Sequence, residues 1–346
     1  MFAAKTELMN AEKVKQFLLK KSFLSQDYLV VKEMGLIYFP LNTAKVTQIK
    51  KNSVPNAVIV NTKFSFPQKA KPVSVEELLQ GKLTTKEMEM LPRSQEVVGT
   101  ILILEIPEEL LKKERVIAEA YLQAHKHLAT VVKKDQIHSG EYRLRKVKVL
   151  AGKNTKESIH HESGVDLKIH LEQTYYSARS SNERLRIAKQ VKRGEEVMVM
   201  FSGAGPYPLV IARNSPVKIV YGIEINPLAH HLAIDNIALN HLEKKVFVFN
   251  GDVREVLPKL KKKYDRIIMP LPKTGEEFLD VALKYAKPKA SIHLYAFLAE
   301  ENTTKEAQRI KKRCATLKYP IQSARTFLCG QFSPRIHRVC FDLKMR

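Results

Sequence analysis

The chain has 346 residues, with 59 Lys and Arg against 36 Asp and Glu, and a formal net charge of +23. Hydrophobic residues at 44% and charged residues at 27% exclude wholesale disorder, and at roughly 100–200 residues per domain the length suits two or three domains. No apolar run approaches the ~18 residues of a membrane span, Met1–Asn10 lacks the apolar core of a signal peptide, and Cys314, Cys329 and Cys340 are too scattered for a disulfide framework or zinc module. A cytoplasmic protein without a metal site is expected. Its positive charge points to a polyanion partner, because neutralised phosphates release counterions; a lysine-rich background is the bland alternative.

Taken along the chain, Asn10 is placed to cap a helix over Ala11–Lys20, where Val14, Phe17 and Leu18 recur at helical spacing. Strands are predicted at Tyr28–Val31 and Leu36–Phe39, followed by a polar turn and the apolar run Ala57–Asn61. From Thr62 to Arg93 the chain holds Pro67, Pro72 and Pro92 without a sustained core pattern and reads as a linker. A second unit starts at Val97, with a strand over Thr100–Ile106, a helix over Glu108–His127, and strands at Thr130–Val132, Val147–Leu150 and Val165–Tyr176. From Glu183 onward helices and strands alternate. Strands are predicted at Val197–Phe201, Lys218–Ile223, Val246–Phe249, Arg266–Met269 and Ser291–Phe297, and a closing antiparallel pair at Arg325–Phe327 and His337–Leu343. This alternation predicts an α/β fold with a doubly wound, mostly parallel sheet.

In such sheets ligands bind beyond the carboxyl ends of the strands. The strand ending at Phe201 runs into Ser202-Gly203-Ala204-Gly205-Pro206-Tyr207, where two glycines would let a ligand approach the backbone. The next strand ends on Glu224, about 20 residues on, where a carboxylate takes two ribose hydroxyls. A third ends at Asn250-Gly251-Asp252, whose acid either joins the site or caps the following helix. Together they predict a nucleoside-containing cofactor. The third small residue of a dinucleotide loop is replaced by Pro208. S-adenosylmethionine, which has no phosphate, therefore fits better than NAD. His160, His161, His138 and His170 lack the companions of a metal site.

The residues resemble a known family, the archaeal and eukaryotic tRNA (guanine-37-N1)-methyltransferases, over nearly the whole chain. The resemblance is carried by Tyr38-Phe39-Pro40-Leu41, Gly140-Glu141-Tyr142-Arg143-Leu144-Arg145, Ile159-His160-His161-Glu162-Ser163-Gly164 and the segment Tyr175–Ile187. It continues through the Met200–Tyr207 loop, Ile225-Asn226-Pro227 with Asn236 and Asn240, and Leu271-Pro272-Lys273. It implies a Rossmann-type class I methyltransferase domain over 176–346 behind two smaller α+β domains, 1–62 and 94–175, with 63–93 as linker. The implied partner is tRNA, the cofactor S-adenosylmethionine, and the state a monomer.

By the same resemblance Phe201, Gly203, Gly205, Tyr207, Glu224, Ile225, Asp252, Val253 and Pro272 bind the cofactor, and Arg143, Arg179, Arg186 and Lys273 bind RNA. Arg179 is alternatively a brace at the domain junction. Methyl transfer to guanine N1 needs a base for its proton and a donor for charge developing on O6. Glu195 matches the family's base position, its bland reading being a turn acid beside Gly194; Arg145 is the candidate to steady O6 or a nearby phosphate, its bland reading being one basic residue among many on a solvated face. Pro270 stands where the family carries an asparagine that touches the target base, so that contact cannot be the usual one. A relative's second activity, C7 methylation of the wyosine precursor at the same position, is therefore a reasonable addition. The alternatives are transfer of the aminocarboxypropyl arm and a noncatalytic tRNA-binding protein.

Overall fold

The computed structural model describes residues 1–51, 54–69, 73–92, 95–135, 142 and 144–346. They fall into two compact units, Met1–Val73 and Ser74–Arg346. In the first unit the elements are β1 (Phe2–Glu7), α1 (Ala11–Lys20), β2 (Val31–Glu33), β3 (Leu36–Pro40), α2 (Val46–Lys51) and β4 (Val58–Asn61). The strands form one antiparallel sheet in the order β2-β3-β1-β4, onto which α1 packs Val14 and Leu18 with Phe23, Ile37 and Phe39. Strand β1 escaped the sequence reading because its buried residues include Ala3 and Ala4, which carry little β signal.

The linker expected over 63–93 is not found as such. Phe64 packs edge-to-face on Tyr38 at 5.2 Å, and Leu29 N donates to Pro67 O, so this stretch belongs to the first unit. Beyond Val73, α3 (Val75–Leu79) and α4 (Thr85–Glu89) each open with a capping box, Ser74 with Glu77 and Thr84 with Glu87. Val75, Leu79 and Leu83 then join the core of the second unit beside Leu104 and Ile117.

That unit continues with β5 (Glu96–Val98), β6 (Ile101–Leu104), α5 (Glu114–Ala124), β7 (Thr130–Lys134) and β8 (Val147–Gly152), giving a sheet in the order β5-β6-β7-β8. The strand expected over Thr100–Ile106 is β6, and β5 is an added strand paired to it across Gly99, which turns the chain at φ +57° and where a Cβ would lie 2.2 Å from Ser158 Oγ. The hairpin β9 (Glu157–Glu162) and β10 (Val165–His170) follows, turning through Ser163 and Gly164 at positive φ.

The remaining elements are α6 (Ser181–Ala188), β11 (Glu196–Met200), α7 (Pro206–Asn214), β12 (Ile219–Glu224), α8 (Pro227–Leu239), β13 (Val246–Asn250) and α9 (Val253–Leu260). They are followed by β14 (Tyr264–Met269), α10 (Leu279–Tyr285), β15 (Ala286–Leu298), α11 (Thr303–Thr316), β16 (Ile321–Ser333) and β17 (Ile336–Met345). The sheet order is β13-β12-β11-β14-β15-β17-β16, parallel except that β17 runs antiparallel between β15 and β16. This is the expected doubly wound α/β sheet, with its direction of winding reversing at β11. One core joins Ile101 and Val132 of the smaller sheet, Leu167 and Ile169 of β10, and Val197 and Val199 of β11. Asn236 and Asn240 on α8 reinforce the join, exchanging side-chain hydrogen bonds with the backbone of Lys168 and Asp166 on β10. Among the described residues no helix is long and apolar enough to cross a membrane.

Candidate functional site

The chain leaves β11 through three left-handed residues, Phe201 (φ +63°), Gly203 (φ +57°) and Gly205 (φ +87°), before α7 starts on Pro206. A Cβ at Gly205 would find its nearest neighbour, Leu209 Cδ1, at an ordinary 3.4 Å. The left-handed φ alone already demands glycine there. Close approach matters instead at Gly222, where a Cβ would meet Ser202 Oγ at 2.9 Å.

The carboxyl ends of β11, β12, β13 and β14 surround a cavity of about 380 Å³, within the ordinary range for small-molecule sites. Every residue expected to bind the cofactor lines it except Gly205, which shapes the loop behind. Glu224 ends β12 and its carboxylate accepts the Gly203 N–H at 2.7 Å and the Asn226 N–H at 2.9 Å. Burial raises its carboxyl above the ordinary value, against the pull of these backbone donors. Asp252 caps α9, accepting from Arg254 N at 2.7 Å, and also lines the cavity. Phe201 meets Phe278 edge-to-face at 4.9 Å, and the Arg254 guanidinium lies 4.0 Å above Phe278.

Two hydroxyls in the wall, Thr174 Oγ1 and Ser202 Oγ, are buried without a hydrogen-bond partner. Buried orphans of this kind cost about 1–3 kcal/mol each. Acids at the ends of β12 and β13 fit the hydroxyl and amino groups of a nucleoside. The residues present therefore suit S-adenosylmethionine.

The candidate catalytic residues are not brought together. Glu195 precedes β11 at the end away from the loop, one strand length or ~17 Å distant, and is paired with Arg266 at 2.9 Å. The structure thus removes it from the role of base at this cavity. Arg145 is buried and bidentate on Glu96 (2.9 and 3.4 Å), with Tyr176 O at 3.5 Å, so its guanidinium is committed to structure and not to O6. Pro270 does line the cavity, following β14 directly.

Among the RNA candidates, Arg186 is spent inside the fold on Glu183 and Asp342, a correction to the expectation of substrate contact. Arg179 is exposed and off the cavity wall; burial pushes the Glu96 carboxyl up, but Arg145, then Lys134 and Arg179, hold it below its ordinary value, the last as a junction residue would. Lys273 is exposed on the loop after Pro272. Arg143 and His138 lie outside the described residues. His160 is structural, its Nδ1 accepting the Gly99 N–H.

Sequence reasoning missed a buried polar chain running from the cavity into the sheet. Tyr207 Oη donates to Tyr295 Oη at 2.9 Å, and Tyr295 Oη donates to Glu183 at 2.6 Å. Glu183 is gripped by Arg186 Nε at 2.6 Å, and Arg186 continues to Asp342 at 2.8 Å. Asp342 holds His293 Nδ1 at 2.6 Å, and Arg266 meets His293 Nε2, also at 2.6 Å. His293, Cys340 and Asp342 bring donor atoms within 4.8 Å of one another, but the Arg266 guanidinium already occupies the outer imidazole nitrogen. Burial raises Tyr295 and Tyr207 well above the usual tyrosine range, so neither ionises near neutrality. One sequence signal could have exposed Glu183: it shares the buried face of α6 with Ile187, one turn on, where a charge needs a reason.

A family model described as the TRM5/TYW2 methyltransferase domain matches residues 158–322, and one described as the TYW2 N-terminal domain matches 75–155. The tRNA (guanine(37)-N(1))-methyltransferase Trm5b of Pyrococcus abyssi is 30% identical over 344 residues, spanning 99% of this chain and 98% of that protein. The solved complex of aTrm5 and tRNALeu matches at 28% identity with a TM-score of 0.70, covering 100% of both chains. The TYW2 of P. horikoshii in complex with MeSAdo matches at 26% identity and a TM-score of 0.67, over 78% of this chain and 97% of that one. End-to-end likeness at this identity, together with a cavity whose acids fit an adenosyl group, means that the chain belongs to the TRM5/TYW2 methyltransferase family.

Proposed function

We propose that the protein transfers a methyl group from S-adenosylmethionine to N1 of guanosine 37 in tRNA. The observation that carries this reading is the cavity itself, with Glu224 set for a ribose on one side and the Tyr295–Glu183 pair on another. When bound, S-adenosylmethionine supplies an electrophilic methyl on a sulfonium. Glu224, at the end of β12 in the cavity wall, accepts the ribose hydroxyls. Guanine N1 holds its proton far above neutral pH, so the enzyme must take it as the methyl arrives. Tyr295 Oη receives that proton while passing its own to Glu183, and the buried tyrosine is never left charged.

Mass spectrometry of a tRNA transcript incubated with the protein and S-adenosylmethionine tests the reading. A gain of one methyl on guanosine 37 is expected; a gain of the aminocarboxypropyl mass, or no change, rejects it. Pro270 carries a second reading, that the acceptor range includes C7 of the tricyclic wyosine precursor, since proline offers no donor to single out guanine. The same measurement on precursor-bearing tRNA checks it. We read the working form as a cytoplasmic monomer, for which sedimentation should return a single chain.

Two further outcomes follow from the geometry. Affinity for S-adenosylmethionine falls as pH drops through a value above the ordinary 4.5 of a glutamate, because burial raises Glu224 and the protonated carboxyl loses a hydroxyl donor. Glu224→Gln should bind about 10–100-fold more weakly and without that pH dependence, as calorimetry would report. Glu195→Gln, by contrast, leaves kcat unchanged, and a large loss of rate in this variant would return Glu195 to the reaction.

A further inference from the structure

Arginines around the site are almost all paired: Arg184 with Glu162, Arg186 with Glu183 and Asp342, Arg145 with Glu96. Arg338 on β17 is different. It is half-buried and lines the cavity, and its one recorded hydrogen bond goes to the neutral hydroxyl of Ser180. No described carboxylate pairs with it. The other unpaired guanidinium of the wall, Arg254, lies on Phe278 at the Asp252 end, where the nucleoside of the cofactor belongs. Arg338 stands beside Ser180 instead, with Tyr295 in the same wall.

The surroundings of Arg338 lead outward onto aromatic surface. It faces Phe297 across the β15–β17 ladder, and opposed residues share one face of a sheet. Phe297 in turn stacks on Phe332 of β16, ring centroids 4.0 Å apart at 25°, and Phe332 remains 52% exposed. A cation at the cavity wall followed by an open aromatic face is the chemistry by which unstacked RNA bases are held: a guanidinium for an anionic oxygen, a ring for a base.

We propose that Arg338 receives an anionic oxygen of the target nucleotide, and that Phe332 stacks a neighbouring base. This rests on the tRNA reading above. The oxygen is either O6, which gains charge as N1 gives up its proton, or a backbone phosphate; both call for an unpaired guanidinium.

The test compares wild type with Arg338→Ala, Arg338→Lys and Phe332→Ala, measuring methylation of a tRNA transcript and, by calorimetry, affinity for S-adenosylmethionine. Arg338→Ala is expected to lose about 10²-fold in kcat/KM with unchanged cofactor affinity, which also reports an intact fold. Loss confined to kcat assigns O6; a raised KM with a shallower salt dependence assigns the phosphate. Arg338→Lys should recover only part of the loss, because lysine lacks the planar fork. Phe332→Ala should raise KM for tRNA about 10-fold. Unchanged kcat/KM in Arg338→Ala overturns the proposal, as does a parallel loss of S-adenosylmethionine affinity, which would place the guanidinium on the cofactor's carboxylate. An inactive wild type would instead overturn the functional reading, and this proposal with it.

Discussion

Glu183→Gln will keep its affinity for S-adenosylmethionine and tRNA while losing about 10²–10⁴-fold in methylation rate, the range a positioned base contributes. Glutamine preserves the size of the side chain and an oxygen to accept from Tyr295, now 2.6 Å away, and Arg186 still has Asp342. What it loses is the ability to take a proton. Tyr295→Phe should cost rate too, since it removes the only group of the pair that reaches the cavity wall. The two effects should not add: once the relay is cut at one member, cutting the other has little left to remove. Single-turnover methylation measures this directly. Full activity in Glu183→Gln would show that another group takes the proton, and exposed Glu277, which also lines the cavity, would then be the next to replace.

The largest expected effect on stability lies beside the site. Glu162 and Arg184 are both almost fully buried, at 2% and 3% side-chain exposure, and meet through two bonds of 2.5 Å. Tyr176 Oη adds a third contact to the carboxylate at 2.8 Å. Glu162→Ala leaves Arg184 charged and enclosed, with only Ser177 O and the Tyr176 hydroxyl for company. Removing one partner of a buried pair costs about 3–5 kcal/mol. Thermal unfolding should therefore move down by roughly 10 °C. A shift near zero would mean that water reaches Arg184 in solution. Because Arg184 also lines the cavity, cofactor should restore less of the lost stability in this variant than in wild type.

How much of this was legible beforehand depends on the range of the interactions involved. Alternating apolar strands are written within ten or fifteen residues, so β11 to β14 could be read almost to their ends, and β15 apart from its first five residues. The Gly203 loop, Glu224 and Asp252 were legible for the same reason, each standing at the end of its own strand. Strand β9 was not, because its sequence, Glu-Ser-Ile-His-His-Glu, has little apolar alternation and is held by pairing with β10. The polar chain through Glu183, Arg186, Asp342 and His293 joins residues more than a hundred positions apart, beyond any local pattern. Glu195 and Arg145 went astray for that reason. Each is a charged residue near a recognisable motif, and only the partners that bury them, Arg266 and Glu96, show that their charges are already used.

The shared core between the β9–β10 hairpin and the large sheet bears on how such an enzyme can be taken apart or exchanged. A chimera joined at 175/176 would carry α8 away from the strand that Asn236 and Asn240 hold, stranding amide groups and baring Leu167 and Ile169. The portable cassette is therefore the whole of 74–346 and not the doubly wound sheet alone. Swapping acceptor preference between relatives should succeed only when the hairpin travels with the helix that clasps it.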